Sequence, residues 1–257
     1  MEILTPRSLP EALALKAERP EAVPIQGGTD VMVELNFDRG RPPALLNLNE
    51  VGELRGWSRE NGTLRLGSGL TYTEAMELGE PLAALAEASR TVGGPQIRNR
   101  GTLGGNLGTA SPAGDALPPL LVYDAVIEVG SVHGARLVPL EEFLVGPKQN
   151  ALEPEELILS VRLPVPGPRQ TFMKVGPRNA MVISVVSLAL LVEDGEARAS
   201  FGSAGPVPGL VTGAPDADFP ERVAEAASPI DDVRGTARYR RHALRVLTER
   251  ALERCLA

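Results

Sequence analysis

The sequence predicts a mixed α+β protein built as two units, and three features carry that prediction. Capped helix signals alternate with short apolar strands through roughly the first 160 residues. The last ninety residues read instead as a small antiparallel sheet followed by two helices. Between the two regions lies Pro164-Val165-Pro166-Gly167-Pro168, the sharpest break in composition, where the boundary is expected.

Composition sets the limits within which these elements pack. The 257 residues, 43% hydrophobic and 23% charged, suffice for a sizeable core, which must be mainly aliphatic because aromatics make up only 4%. A net charge of −7 argues against nucleic acid as the main partner. No apolar run approaches the roughly 20 residues that a membrane span needs. The opening Met1-Glu2-Ile3 shows neither a basic nor an apolar leader, so a cytoplasmic chain is the simplest expectation. Cys255 is the only cysteine, which precludes an internal disulfide and leaves far fewer than the about four ligands an iron–sulfur cluster requires. His133 and His242 are too few for a histidine-rich metal site.

In chain order, Ser8-Leu9-Pro10-Glu11 has the form of a capping box, predicting a short helix that ends before Pro20. Val23 to Gln26 reads as a buried strand running into Gly27-Gly28-Thr29-Asp30, after which an apolar helix pattern begins at Val31. Strand, double glycine and helix start form a candidate anion cradle, although four such residues alone more often make a purely structural turn. The third glycine of a dinucleotide fingerprint is missing. Leu45 to Leu48 reads as a strand, Asn61-Gly62 as a hairpin turn before Thr63 to Leu66, and Thr71 with Glu74 as a second capping box. A helix is expected over Pro81 to Arg90, a short one over Leu117 to Tyr123, and paired strands at Val126–Val129 and Arg136–Val138. Leu157, Leu159, Val161 and Leu163 alternate as one face of a half-buried strand. Beyond the boundary, strands are expected at Thr171–Val175, Val182–Val192 and Ala197–Phe201, with a turn at Asp194-Gly195. Gly202 to Asp218 is expected to be a connection, and helices to follow at about Pro220–Ala227 and Thr236–Leu256.

The stretch that organises the chain runs from Gly93 to Asp115 and holds seven of its 27 glycines. Each glycine costs roughly 1 kcal/mol in a helix interior, so a long loop is expected. Such a loop exposes backbone N–H groups that can approach a ligand closely, and Thr102, Asn106, Thr109 and Ser111 add small hydrogen-bonding groups. A polyanion, most often a phosphate, suits it. Arg98 and Arg100 could contact that ligand or face solvent or another chain; Asp30 could serve the ligand or the helix dipole. Lys174 is by default a surface lysine, His133 a hairpin-tip residue, and Trp57 and Cys255 packing residues. Arg234, Arg238, Arg240, Arg241 and Arg245 form either a solvated helix face or a dock for an acidic partner, with Tyr239, Ala243, Val246, Leu247 and Ala251 as the packing stripe.

Gln26-Gly27-Gly28-Thr29-Asp30, the run Gln96 to Asn106 and Ser111-Pro112-Ala113-Gly114-Asp115 together resemble the FAD-binding medium subunit of molybdenum hydroxylases, the xanthine dehydrogenase and carbon monoxide dehydrogenase family. Asp231 to Arg241 is similar to the last helix of that subunit's C-terminal domain. The resemblance covers essentially the whole chain. It implies a two-lobed FAD-binding domain of the vanillyl-alcohol-oxidase (PCMH) type over residues 1–165, with lobes of about 1–52 and 53–165. A C-terminal domain over 166–257 would carry a three-stranded antiparallel sheet plus helices.

It also implies non-covalent FAD. Pro24, Ile25, Gln26, Gly27, Gly28, Thr29, Asp30 and Val31 would line the diphosphate and ribityl chain, faced by Thr102, Gly104, Gly105, Asn106 and Thr109. Asp115 would accept hydrogen bonds from the cofactor, Val92 and Gly93 would lie near the ring system, and Ile158 beneath it. Lys174 would stand at the flavin edge, while Arg178-Asn179-Ala180-Met181 stands where the family often has a shielding aromatic residue. No catalytic or metal-binding residue is implied. Iron–sulfur clusters and molybdopterin would belong to a small and a large partner subunit in a dimer of heterotrimers, with NAD or another acceptor. Two alternatives are a stand-alone flavin oxidoreductase on the same fold and a flavin-free scaffold subunit.

Overall fold

The structure is a computed structural model that describes residues 1–257. Its first element is a strand, Glu2–Leu4, that joins Ala44–Asn47 and Val23–Ile25 in a small parallel sheet with Ala44–Asn47 at its centre. Parallel strands need crossover connections. The helix Leu9–Glu18 supplies the first of them. Ser8 caps that helix at the Glu11 N–H, and the Glu11 carboxylate reaches back to the N–H of Arg7 rather than to that of Ser8. Ala12, Ala22, Leu46 and Leu54 pack beneath this sheet with Leu157 and Leu159 from the next one.

The central sheet has five antiparallel strands in the order Trp57–Glu60, Thr63–Gly67, Leu157–Pro164, Val126–Ser131 and Gly134–Pro139. Asn61 and Gly62 both have positive φ, 49° and 80°, in the tight hairpin joining the first two. The middle strand departs from the expected half-buried alternation. A bulge between Ile158 and Ser160 flips the pleat, so that Leu157 shares a face with Ser160 while Ile158 and Val161 pack with Ile127 and Val129 on the other. Bracketed by two neighbours and covered on both sides, the strand is buried almost throughout.

The C-terminal region carries a four-stranded antiparallel sheet, Gln170–Val175, Val186–Glu193, Glu196–Gly202 and Gly209–Gly213, in that order. Three strands were expected. The fourth lies inside the glycine- and proline-rich connection, where only Leu210, Val211 and Thr212 separate its terminal glycines. The second strand begins at Val186, and the expected strand residues from Val182 to Val185 form a loop instead. Thr236 caps the helix Ala237–Leu256, which buries Ala243, Leu244, Leu247, Ala251 and Cys255 against the sheet. Two expectations about that helix change. Arg240 is buried, bound to Asp232 at 2.5 Å and to the Ser203 carbonyl at 3.0 Å, and Tyr239 is exposed. Trp57, expected to pack, is also exposed on the edge strand. No helix is long and apolar enough to cross a membrane.

Candidate functional site

The glycine-rich stretch is not a continuous loop. It contains a single helical turn, Pro95–Arg98, and a helix, Leu103–Thr109. Thr102 caps the latter by accepting the Gly105 N–H at 3.0 Å, and Leu103 and Leu107 are fully buried beneath it. Burying two leucines stabilises by roughly 1.5–3 kcal/mol each, enough to offset about 1 kcal/mol for each of Gly104, Gly105 and Gly108. Gly104 is required by close approach. Its N–H donates to the Ser68 carbonyl at 2.7 Å, and a methyl there would sit 2.7 Å from both that oxygen and the Ser68 Cβ.

The first glycine turn lies opposite. It leaves the strand Val23–Ile25, passes through Gly28 at φ 72°, and enters the short helix Val31–Asn36. Arg100 fastens the two segments together: its guanidinium donates to the Gln26 carbonyl at 3.0 Å and to Asn49 at 3.2 Å. Asp30 makes no capping bond and instead accepts the Thr109 hydroxyl at 3.0 Å. Arg98 donates to the carbonyls of Val92 and Gly93, bracing the loop from within. Both arginines therefore serve the shape of the site.

Between these segments lies a cleft of about 840 Å³. Its wall includes Pro24, Ile25, Gln26, Gly27, Gly28, Thr29, Asp30, Val31, Val92, Gly93, Thr102, Gly104, Gly105, Asn106, Thr109, Asp115 and Ile158, every expected site residue except Lys174. Lys174 is instead buried behind the wall, donating to Asp115 at 2.6 Å and to the Thr91 carbonyl at 3.3 Å. Its expected place is the flavin edge; in the structure its ammonium faces the Asp115 carboxylate. Sequence reasoning also missed Tyr72, Glu34, Lys148, Val182 and Ile183, all of which line the cleft.

The cleft wall carries three buried polar atoms with no partner in the protein: Gln26 Nε2, Asn106 Oδ1 and Asp115 Oδ1. An unpaired buried polar group costs about 1–3 kcal/mol, and three of the eight such atoms in the chain belong to residues of this cleft. Both a donor and acceptors are present, and the same wall carries Gly27, Gly28, Gly104 and Gly105. These residues fit a dinucleotide bearing hydroxyls, ring nitrogens and a diphosphate. Burial, together with the nearby Asp115 charge, pushes the Tyr72 phenol well above its usual range and keeps it neutral.

Burial also raises the pKa of Asp115, partly countered by the Lys174 ammonium. The native chain therefore holds this proton more tightly than the unfolded chain. Its contribution to stability falls as the pH climbs from about 4, the unfolded value, towards the raised one. Asp115→Asn removes that slope and leaves Lys174 buried without a countercharge, which is expected to cost roughly 3–5 kcal/mol. The double variant Asp115→Leu with Lys174→Met is expected to recover most of the loss. Urea unfolding of Asp115→Leu, Lys174→Met and the double variant checks this: additive losses would show that the pair is not coupled.

A family model described as the FAD binding domain in molybdopterin dehydrogenase matches residues 1–166. The chain is 31% identical over 275 residues to the xanthine dehydrogenase FAD-binding subunit of Escherichia coli O157:H7, a match covering 97% of this chain and 94% of that one. It is 30% identical over 275 residues to the carbon monoxide dehydrogenase medium chain of Afipia carboxidovorans, covering 98% and 95%. Among solved structures, reconstituted carbon monoxide dehydrogenase from Oligotropha carboxidovorans contains a chain that superposes with a TM-score of 0.91 at 25% identity, covering 99% of this chain and 97% of that chain.

Proposed function

The chain belongs to the family of FAD-binding domains of molybdopterin dehydrogenases, and from that premise we propose that it is the electron-relaying flavoprotein subunit of a molybdenum hydroxylase. In this reading it passes electrons between two-iron two-sulfur clusters on a small partner subunit and NAD or another acceptor. A large molybdopterin subunit oxidises the substrate, and the whole is a cytoplasmic dimer of heterotrimers. The three unpartnered polar atoms along a glycine-walled cleft carry the cofactor part of the proposal.

FAD, when bound, supplies both two-electron and one-electron exchange, which a protein side chain set of this kind lacks. The chain's own residues bind and orient. Pro24 to Val31 and the run Thr102 to Thr109 would hold the diphosphate and ribityl chain through backbone N–H groups and short hydroxyls. Val92, Gly93 and Ile158 would flank the ring system, and Asp115, steadied by Lys174, would accept from a cofactor hydroxyl or amine. The Met181–Ile183 loop would limit access of water at the cleft mouth, where the resemblance implies a shielding aromatic residue. A division into a cofactor domain at 1–165, with lobes of about 1–52 and 53–165, and a C-terminal domain at 166–257 suits this arrangement.

Affinity purification of the tagged chain from its native cell tests the assignment. Two further chains are expected with it, one bearing iron–sulfur absorption and one releasing molybdopterin. A flavin-containing chain that purifies alone and turns over substrate alone would favour the stand-alone oxidoreductase, and a colourless one that refuses FAD would favour the scaffold.

A further inference from the structure

The carboxylates and cations around the cleft are almost all committed. Asp30 accepts from Thr109, Asp115 from Lys174, and Glu156 from Arg136 at 2.7 Å. Arg98 and Arg100 are spent on backbone carbonyls and Asn49. Among the residues that form the wall, Lys148 is the one lysine or arginine, and its only charged partner is Glu34, at a loose 3.7 Å.

Lys148 stands on a fixed base. It occupies the turn between the short strands Leu144–Gly146 and Gln149–Asn150. Its N–H donates to the Ala110 carbonyl at 3.1 Å, and Asn150 donates to the Gly108 carbonyl at 2.8 Å. The hairpin is thus pinned to the end of the glycine-bearing helix Leu103–Thr109, across the cleft from the helix Val31–Asn36 that carries Glu34. The backbone of Lys148 is left-handed, with φ 58°, a conformation that glycine would adopt without strain. Its side chain is 62% exposed, so the arm is free to swing while its root is held.

We propose that Lys148 is a cofactor-binding residue that exchanges Glu34 for the diphosphate of the bound dinucleotide, so that Glu34 and Lys148 form a latch across the empty cleft and a charge clamp across the filled one. The inference rests on the FAD reading above. A diphosphate brings two negative charges into a wall whose other ionised groups are carboxylates, and an ammonium is a point charge that can follow it without demanding one geometry. Glu34, repelled by the diphosphate, competes for the same ammonium.

The two partners therefore have opposite effects on affinity. FAD is titrated into the full-length chain after removal of any bound flavin, with flavin fluorescence as the readout, at low and at physiological ionic strength. Lys148→Gln is expected to weaken FAD about tenfold at low salt and to flatten the salt dependence, with Lys148→Arg retaining most of the affinity. Glu34→Gln is expected to tighten FAD several-fold by releasing the lysine. Equal weakening by Lys148→Gln and Glu34→Gln would reduce the pair to a structural tie, and an unchanged Lys148→Gln would remove the residue from the site; either overturns the exchange. Failure of the wild-type chain to bind FAD would overturn the cofactor reading itself, and it is visible before any variant is made.

Discussion

Gly27→Ala is expected to destabilise the chain by roughly 3 kcal/mol and to loosen the cleft with it. A methyl group at this position would lie 2.8 Å from the Arg100 carbonyl carbon, closer still to its oxygen, and 3.1 Å from the Gly101 Cα. All three are backbone atoms, so no rotamer change relieves the clash. Overpacking of this kind costs about 1–3 kcal/mol, and separating the segments also strains the Arg100 bond to the Gln26 carbonyl, a charged hydrogen bond of about 1.5–3 kcal/mol. Gly40→Ala is the control, since nothing lies within 4 Å of the added methyl. Urea unfolding should separate the two clearly. Equal stabilities would show that the two glycine segments do not meet.

Gly105→Asp is expected to do the opposite: keep the fold and lose the cofactor. The nearest atom to an added Cβ is the Thr102 hydroxyl at 3.2 Å, and the position faces the cleft rather than the core. Aspartate has a better helix propensity than glycine, so the melting temperature should move little. Its carboxylate would stand beside the proposed diphosphate. One charge pair near 4 Å is worth roughly 4 kcal/mol at an effective dielectric of about 20, so FAD affinity should fall at least about a hundredfold. Gly105→Asn adds nearly the same volume without the charge and should remain within about tenfold of wild type. Asn106→Asp, which changes one atom of a side chain whose Oδ1 is buried and unpartnered, should follow Gly105→Asp.

Where a local interaction decides the structure, the sequence was readable. Ser8 and Thr71 each announce a helix because the cap is a contact three residues long, and both caps are present. Asn61-Gly62 and Asp194-Gly195 announce hairpins because both positions need positive φ, which both pairs adopt. Where long-range contacts decide, the reading failed. Leu103–Thr109 is helical because Leu103 and Leu107 find a core, which no propensity scale contains. The bulge at Ile158 is set by pairing with Val126–Ser131, and Gly209–Gly213 is a strand because Glu196–Gly202 offers it an edge. Arg240 looked like surface charge until Asp232 and the Ser203 carbonyl surrounded it.

The site divides in the same way. The seventeen expected residues on the cleft wall follow from the family resemblance that the two glycine motifs carry, while the composition of the motifs reports only a need for close backbone approach. The Lys174–Asp115 pair was not legible because its partners are 59 positions apart in sequence. Lys148 and Glu34 went unseen because neither belongs to a motif, and only the docking of a hairpin against the glycine-bearing helix brings them to the ligand's side.

The most direct test of the cofactor assignment is a visible absorption titration of the purified chain with FAD, followed by acid release and identification of the bound flavin. One FAD per chain is expected, released intact by acid because the binding is non-covalent, with Gly105→Asp taking up none. A chain that stays colourless at saturating FAD, alone and within its purified complex, would contradict the account. The three unpartnered atoms of Gln26, Asn106 and Asp115 would then need another ligand.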